Sequence, residues 1–301
     1  MALTDEEWKI AIEEKISQLK NTDNDGTVAA HTGGTQTKFI TITHPSDPLF
    51  PSTIDHTLLK PDATSAQIDV LCYEAIRYGF KSCCVNGVHV KQVAERLRGS
   101  KSIPCAVIGF PLGASTTAVK VFEAQDAIFN GAREIDMVIN IGALKSQSYT
   151  TVFDDIRAVA EACHSSLTQP SEEAMRKVNL KVILETIFLS DSEKIAGAFI
   201  AAEAGADFVK TCTGFGGGGA TKEDVGLLYR SVEYTSGRND GKGDKVKVKA
   251  SAGIRSFEKC VEMLGAGAER VGTSSGVAIM QNMNVGTVSG TSQTSTVSKV
   301  Y

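Results

Sequence analysis

The chain reads as a single (β/α)8 barrel, and two observations carry that reading. From about Ser52 the sequence alternates short β-branched runs with longer helical patterns, the rhythm of βαβ units feeding a parallel sheet. Eight such runs fit into about 230 residues, Ser52 to Met280, which suits one closed TIM barrel better than two doubly wound domains. The composition, 42% hydrophobic and 22% charged over 301 residues, is that of a globular chain able to bury a sizeable core.

The first predicted element is an amphipathic helix over residues 4 to 20. Trp8, Ile12, Ile16 and Leu19 share one face, and Thr4 is placed to cap it with Glu7. Asn21 to Thr37, rich in Asn, Asp, Thr and Gly, has no periodicity and reads as a linker, so residues 1–51 are an N-terminal helical extension. The eight strands are then STIDHTLL (52–59), KSCCVN (81–86), IPCAVIGF (103–110), REIDMVIN (133–140), LKVILET (180–186), ADFVKTC (206–212), KVKVKAS (245–251) and AERVGTS (268–274). Thr64 and Gln67 make a capping box for the first intervening helix, and Ser115 is placed to cap the third. The glycines of EAGA (203–206) and LGAGA (264–268) punctuate helix ends. The barrel domain therefore spans 52–280, and 281–301, rich in Ser, Thr, Gly and Val, reads as a flexible tail.

Composition excludes several partners. Lys and Arg number 31 against 35 Asp and Glu, a net charge of −4, so no basic field draws in nucleic acid or an acidic membrane surface. The N-terminus is acidic, and no uncharged apolar run approaches the ~20 residues of a membrane span, which predicts a cytoplasmic protein. The seven cysteines are odd in number and scattered, without a C-x-x-C pair or metal-ligand spacing, so a reducing compartment and no metal are expected.

Strand parity selects the residues that face the lumen, because side chains alternate across a barrel wall and active sites sit at its C-terminal mouth. With Val209 outward, Phe208, Lys210 and Cys212 turn inward; with Val246 and Val248 outward, Lys245, Lys247 and Lys249 do. Ile135, Met137 and Ile139 outward leave Glu134, Asp136, Val138 and Asn140 inside, and the fifth strand adds Lys181, Ile183 and Glu185. Lysine is seldom buried without a partner, because stripping water from an ammonium is costly. One reading is a set of ion pairs with Glu134, Asp136 and Glu185. The other is chemical: lysines close together depress each other's pKa, and a neutral lysine condenses with a carbonyl to an imine, an electron sink for breaking the adjacent carbon–carbon bond. An inward carboxylate such as Asp136 would then move protons.

A second constellation is rich in glycine. Thr213 to Gly219 follows the sixth strand, Ala252-Gly253 the seventh, and Gly272-Thr273-Ser274-Ser275-Gly276 the eighth, where it opens a helix. Three consecutive loops offering backbone N–H groups, hydroxyls and a helix N-terminus predict an anion site without net positive charge. Gly214 to Gly219 also spells G-x-G-x-x-G, so an NAD(P)-dependent oxidoreductase is a competing reading. The motif follows the sixth strand rather than the first, and no strand ending in Asp or Glu lies about twenty residues on. A catalytically silent phosphosugar-binding barrel is a third.

IDHTLLKPDAT, GFPLGA, EIDMVIN, LKVILET, VKTCTGF, VKASAGIR and RVGTSSG, in this order and at these intervals, resemble the deoxyribose-phosphate aldolases, class I imine-forming enzymes on a (β/α)8 barrel. The resemblance covers about Ser52 to Met280. It implies reversible cleavage of 2-deoxy-D-ribose 5-phosphate to D-glyceraldehyde 3-phosphate and acetaldehyde, no cofactor, and a homo-oligomer, in the family's habit a dimer. It further implies that Lys210 forms the imine, that Lys249 is the second lysine of the proton relay, and that Asp136 is its carboxylate. Asp55 and Lys181 match supporting polar residues, and Cys84 matches a cysteine lining the substrate pocket. Gly214, Gly253, Gly272, Ser274 and Ser275 match the phosphate loops. Some members end in a tyrosine that reaches the active site, which makes Tyr301 a possible tail contact. The sequence departs from the family at Ala252, where a glycine is usual, at Lys247, where a small residue is common, and in residues 1–51, which short bacterial members lack.

Overall fold

A computed structural model describes residues 3–24, 41–165, 178–233 and 245–285 of the chain. Strands β1 (Ile54–Leu58), β2 (Ser82–Asn86), β3 (Ile103–Ile108), β4 (Glu134–Val138), β5 (Asn179–Ile183), β6 (Phe208–Lys210), β7 (Lys247–Ser251) and β8 (Ala268–Thr273) pair in chain order, all parallel. β8 closes on β1, with Asp55 opposite Gly272, and the barrel is complete. Every predicted strand is present; seven are shortened at their ends, and β5 begins one residue earlier than expected, at Asn179, and ends at Ile183.

Around the barrel run α2 (Ser65–Tyr78), α3 (Val90–Arg96), α4 (Thr117–Phe129), α5 (Ile141–Lys145), α6 (Tyr149–His164), α7 (Asp191–Glu203), α8 (Lys222–Glu233), α9 (Phe257–Gly265) and α10 (Gly276–Val285). Outward strand residues such as Ile135, Met137, Val182, Val209, Val248 and Val271 form one continuous core with these helices. A separate small cluster, Cys84, Cys105 and Val107, lies against Leu59 and Phe110. The alternation of period two is what divides the two sets.

α1 (Asp5–Asn24) docks on the outside of the barrel. Its capping box forms as expected: Thr4 N–H donates to Glu7 Oε2 at 2.8 Å and Glu7 N–H to Thr4 Oγ1 at 3.3 Å. Trp8 inserts between Phe153 and Phe199, with ring centroids 5.2 and 6.0 Å away. The helix runs past the predicted end at Lys20, and residues 25–40 of the expected linker lie outside the described residues. The Thr64–Gln67 box on α2 also forms.

Three local expectations fail. Thr116, not Ser115, precedes α4 and makes no side-chain cap; the neighbouring Thr117 hydroxyl donates instead to Asp155. Lys245 is exposed and outside β7, because β6 is only three residues long and its register meets β7 from Lys247 onward. Asn140 does not line the lumen but caps α5, accepting from Ala143 N–H at 3.0 Å. At the other end α10 carries the chain past Met280 to Val285; Tyr301 and the rest of the tail lie outside the described residues. Among the described residues no helix is long and apolar enough to cross a membrane.

Candidate active site

Six strands deliver charged side chains to one buried network. They are Asp55 on β1, Glu134 and Asp136 on β4, Lys181 on β5, Lys210 on β6, Lys249 on β7 and Arg270 on β8. Register places Asp136 beside Lys181 and Lys210 beside Lys249, so the pattern of the sheet itself sets the pairs.

Asp136 is the hub. Its Oδ1 accepts from Lys181 Nζ at 2.7 Å and from Cys105 Sγ at 3.2 Å. Its Oδ2 accepts from both Lys210 Nζ and Lys249 Nζ, each at 2.8 Å, which puts those two nitrogens within about 6 Å of each other. Lys181 has a second carboxylate, Glu134 Oε2, at 2.5 Å, and Lys249 has Asp55 Oδ2 at 2.6 Å. Arg270 donates to Asp55 at 2.7 Å and, as a fork, to Glu134 at 3.0 and 3.2 Å. Ser82 adds a hydroxyl to Asp55 at 2.6 Å.

Burial opposes charge on each of these groups, and their partners decide the outcome. Burial pushes the Asp136 carboxyl up, but Lys181, Lys210 and Lys249 together hold it well below the usual carboxylate range. Burial pulls Lys249 down, but Asp136 and Asp55 outweigh it and hold that ammonium above the ordinary lysine value. Lys181 behaves likewise, raised by Asp136, Cys105 and Glu134 against burial. The expectation that clustered lysines depress one another is therefore reversed at these two, because each sits between two carboxylates.

Arg270 is the functional residue that sequence reading missed. The signal was available: with Val271 in the outer core, parity turns Arg270 of RVGTSSG inward. Lys247, whose partner the sequence could not name, lies over the face of Phe208, 5.7 Å from its centroid. The same ring carries Lys181 at 5.9 Å and Arg270 at 5.4 Å. One aromatic ring thus serves three cations.

The glycine-rich loops meet at the same mouth. Ala220 N–H donates to Ala252 O at 3.0 Å, joining the loops after β6 and β7, and Thr273 Oγ1 donates to Ile254 O at 2.7 Å, joining those after β7 and β8. Gly214 and Gly253 have φ of +90° and +74°, a left-handed backbone that glycine adopts without strain. Other glycines have a packing reason. A Cβ on Gly216 would stand 3.0 Å from the Glu185 carboxyl, and one on Gly218 would collide with Ile187 at 2.3 Å. The run therefore permits a close approach to the 3-10 turn Thr186–Phe188, which accounts for it without a dinucleotide. Gly272 leaves room for Lys249, since a Cβ there would stand 3.0 Å from that side chain's Cε. Ser274 is exposed beside β8, and Ser275 precedes α10 with its N–H donating to Thr273 Oγ1 at 2.9 Å. Glu185, the predicted inward carboxylate, accepts from the Thr213 N–H and hydroxyl and so ties down the β6 loop instead of pairing with a lysine.

Cys84 lies opposite Cys105 in the β2–β3 register, and their sulfurs and an Asp136 oxygen fall within 4.8 Å of one another. These three donors form a potential metal trio that sequence spacing did not reveal. Lys181 Nζ stands 3.4 Å from Cys105 Sγ, and three ammonium groups already engage Asp136, so the trio suits a divalent cation poorly.

The family model described as DeoC/LacD family aldolase matches residues 52–282. A deoxyribose-phosphate aldolase of Staphylococcus haemolyticus is 52% identical over 230 residues, 76% of this chain and 94% of that protein. One from Carboxydothermus hydrogenoformans is 53% identical over 230 residues, covering 76% and 93%. A crystal structure from Coccidioides immitis, of a protein provisionally called a deoxyribose-phosphate aldolase, has a TM-score of 0.76 at 39% identity and covers 94% of this chain and 99% of its own.

Proposed function

The chain belongs to the DeoC/LacD family of aldolases, and from that membership and the lumen geometry we propose that it cleaves 2-deoxy-D-ribose 5-phosphate reversibly through an imine on Lys210. The observation that carries this is the charge of the network. Asp55, Glu134 and Asp136 face Lys181, Lys210, Lys249 and Arg270, so the ion pairs hold one cation more than they hold anions. Lys181, Lys249 and Arg270 each contact two carboxylates, whereas Lys210 has one oxygen shared with Lys249.

The chemistry follows from those positions. The Lys210 amine adds to the C1 aldehyde and loses water to give a protonated imine. That cation draws electrons from the C2–C3 bond as the C3 hydroxyl loses its proton. Asp136 is a weak base while three cations face it; at the carbinolamine stage the Lys210 nitrogen carries no charge, and Asp136 then passes protons between the hydroxyl, a water and Lys249. Glyceraldehyde 3-phosphate leaves first, and the enamine then takes a proton and hydrolyses to acetaldehyde. The imine is the electron sink, so no cofactor is needed. The joined loops bearing Gly214, Gly253, Gly272, Ser274 and Ser275 receive the phosphate, with the α10 N-terminus behind Ser275. Cys84, packed in one buried cluster with Cys105, Val107, Leu59 and Phe110, borders the substrate in this reading. Exposed Val70, Tyr73 and Ile76 on α2, and Val119 and Phe122 on α4, support assembly with a second copy of the chain.

The test is borohydride reduction in the presence of deoxyribose 5-phosphate or acetaldehyde. The expected result is a mass adduct on the peptide containing Lys210, with turnover abolished in Lys210→Ala and unaffected by a chelator. An adduct spread evenly over surface lysines, or none, would reject the reading.

A further inference from the structure

The mechanism leaves one pair of nucleophiles unused. Cys84 and Cys105 sit on neighbouring strands, in register and on the lumen face, and both side chains are fully buried. Adjacent strands are about 4.8 Å apart, inside the ~4.4–6.8 Å range of Cα separations that a disulfide accepts, and the two sulfurs already lie within 4.8 Å of each other. A second close pair, Cys72 on α2 and Cys83 on β2, lies behind the sheet in the helix-layer core. The lumen pair instead belongs to the small cluster that reaches the mouth through Phe110, whose ring meets the half-exposed Phe215 edge to face at 5.2 Å.

We propose that Cys84 and Cys105 form a peroxide-reactive dithiol whose oxidation to a disulfide detaches a hydrogen-bond donor from Asp136. The oxidant is hydrogen peroxide or a small hydroperoxide that enters by the mouth. The Cys84 thiolate attacks one peroxide oxygen; an S–O bond forms, the O–O bond breaks, and the departing hydroxide takes a proton to become water. Cys105 sulfur then attacks Cys84 sulfur; the S–S bond forms, the S–O bond breaks, and the leaving hydroxide takes the Cys105 proton. Two thiols and one peroxide become one disulfide and two waters.

The surroundings assign the roles. The Cys105 thiol's hydrogen bond lowers the Cys84 thiol below its ordinary value against both burial and the Asp136 carboxylate, with Lys249 and Lys210 adding to the lowering. Burial holds Cys105 well above that value, so it keeps its proton and resolves the intermediate. Behind the sheet the same split recurs, with Cys72 lowered by its hydrogen bond with Cys83 and Cys83 held up by that bond and by burial, so it is the position at the mouth that distinguishes the lumen pair. Once the disulfide closes, Asp136 retains its three lysines but loses the Cys105 donor at 3.2 Å from Oδ1. Turnover therefore falls, while the bond formation itself does not depend on the aldolase reading.

Reduced protein is exposed to graded hydrogen peroxide, quenched with N-ethylmaleimide and digested without reductant. The expected product is a Cys84–Cys105 linked peptide lighter by two hydrogens, located by fragment ions that separate Cys83 from Cys84, and lost on adding dithiothreitol. Cys105→Ala should trap a sulfenic acid on Cys84, detected with dimedone, and no link. Oxidation of other cysteines before this pair, or a first link between Cys72 and Cys83, would overturn the site. Turnover should fall in step with the linked fraction and return on reduction. Full linkage with unchanged turnover would overturn the effect on Asp136.

Discussion

Two buried lysines show why residue type alone does not define a role. Lys120 and Lys181 are both fully buried, yet Lys120 is committed to Asp155 at 2.5 Å and the Val138 carbonyl at 3.0 Å, within the helix layer. It is a structural pair. Lys181 shares its carboxylates with the reactive centre, and Lys210 differs from both in having only part of one oxygen. Ala252 is the other informative residue. It sits at φ +76°, the left-handed region where a Cβ is strained, at the position where the family usually has glycine. Ala252→Gly should stabilise the protein by about 1 kcal/mol, the relief of strain exceeding the added chain entropy. A denaturant midpoint that rises with an unchanged slope is the expected observation; a lower midpoint would mean that the Cβ contributes packing that outweighs its strain.

Among the elements, α1 is the one whose attachment depends on pH. Lys15 on its inner face is buried against Phe199, with its ammonium 6.0 Å from the ring centroid. Burial pulls its pKa from 10.5 down to about 8, with Glu203 and Glu233 pushing the other way. Between those values the undocked helix carries a proton that the docked helix has shed, so docking strengthens as pH rises from about 8 to 10.5. Amide exchange within α1, corrected for the intrinsic rate, should slow relative to the barrel strands over that range. Lys15→Met should remove the trend. A wild-type α1 whose protection is flat or declines across the window would contradict the assignment.

For the whole molecule the buried network ties barrel stability to pH at both extremes. Asp55, Glu134 and Asp136 are all held below their ordinary values of 3.8, 4.5 and 3.8, because their cationic partners outweigh burial. Their contribution is present above about 4.5 and is lost as pH falls below it, since the unfolded chain takes up protons first. Lys181 and Lys249 are raised above 10.5, so their contribution is present below that value and is lost as pH climbs past it. Denaturant titrations should therefore give a plateau with an acid fall that reflects uptake of as many as three protons. In Asp136→Asn the acid slope should be shallower and the folded state weaker throughout, because three ammonium groups lose a shared anion. An acid limb identical to that of the wild type would show that Asp136 does not titrate with folding.

The sequence by itself determined the eight strands, their parity and therefore which face of each carries the polar residues, because period-two alternation is a local property. It also placed Lys210, Lys249, Asp136 and Lys181 on inward positions of four adjacent strands. Only the tertiary structure decided that Asp136 is the shared hub, that Arg270 completes the network from β8, and that Glu185 anchors a loop instead of a lysine. It likewise set Cys84 beside Cys105 and showed that three of the four consecutive glycines, Gly216, Gly218 and Gly219, serve close packing. These are contacts between strands far apart in the chain, fixed by barrel closure and register, and no local pattern encodes a distance across the lumen.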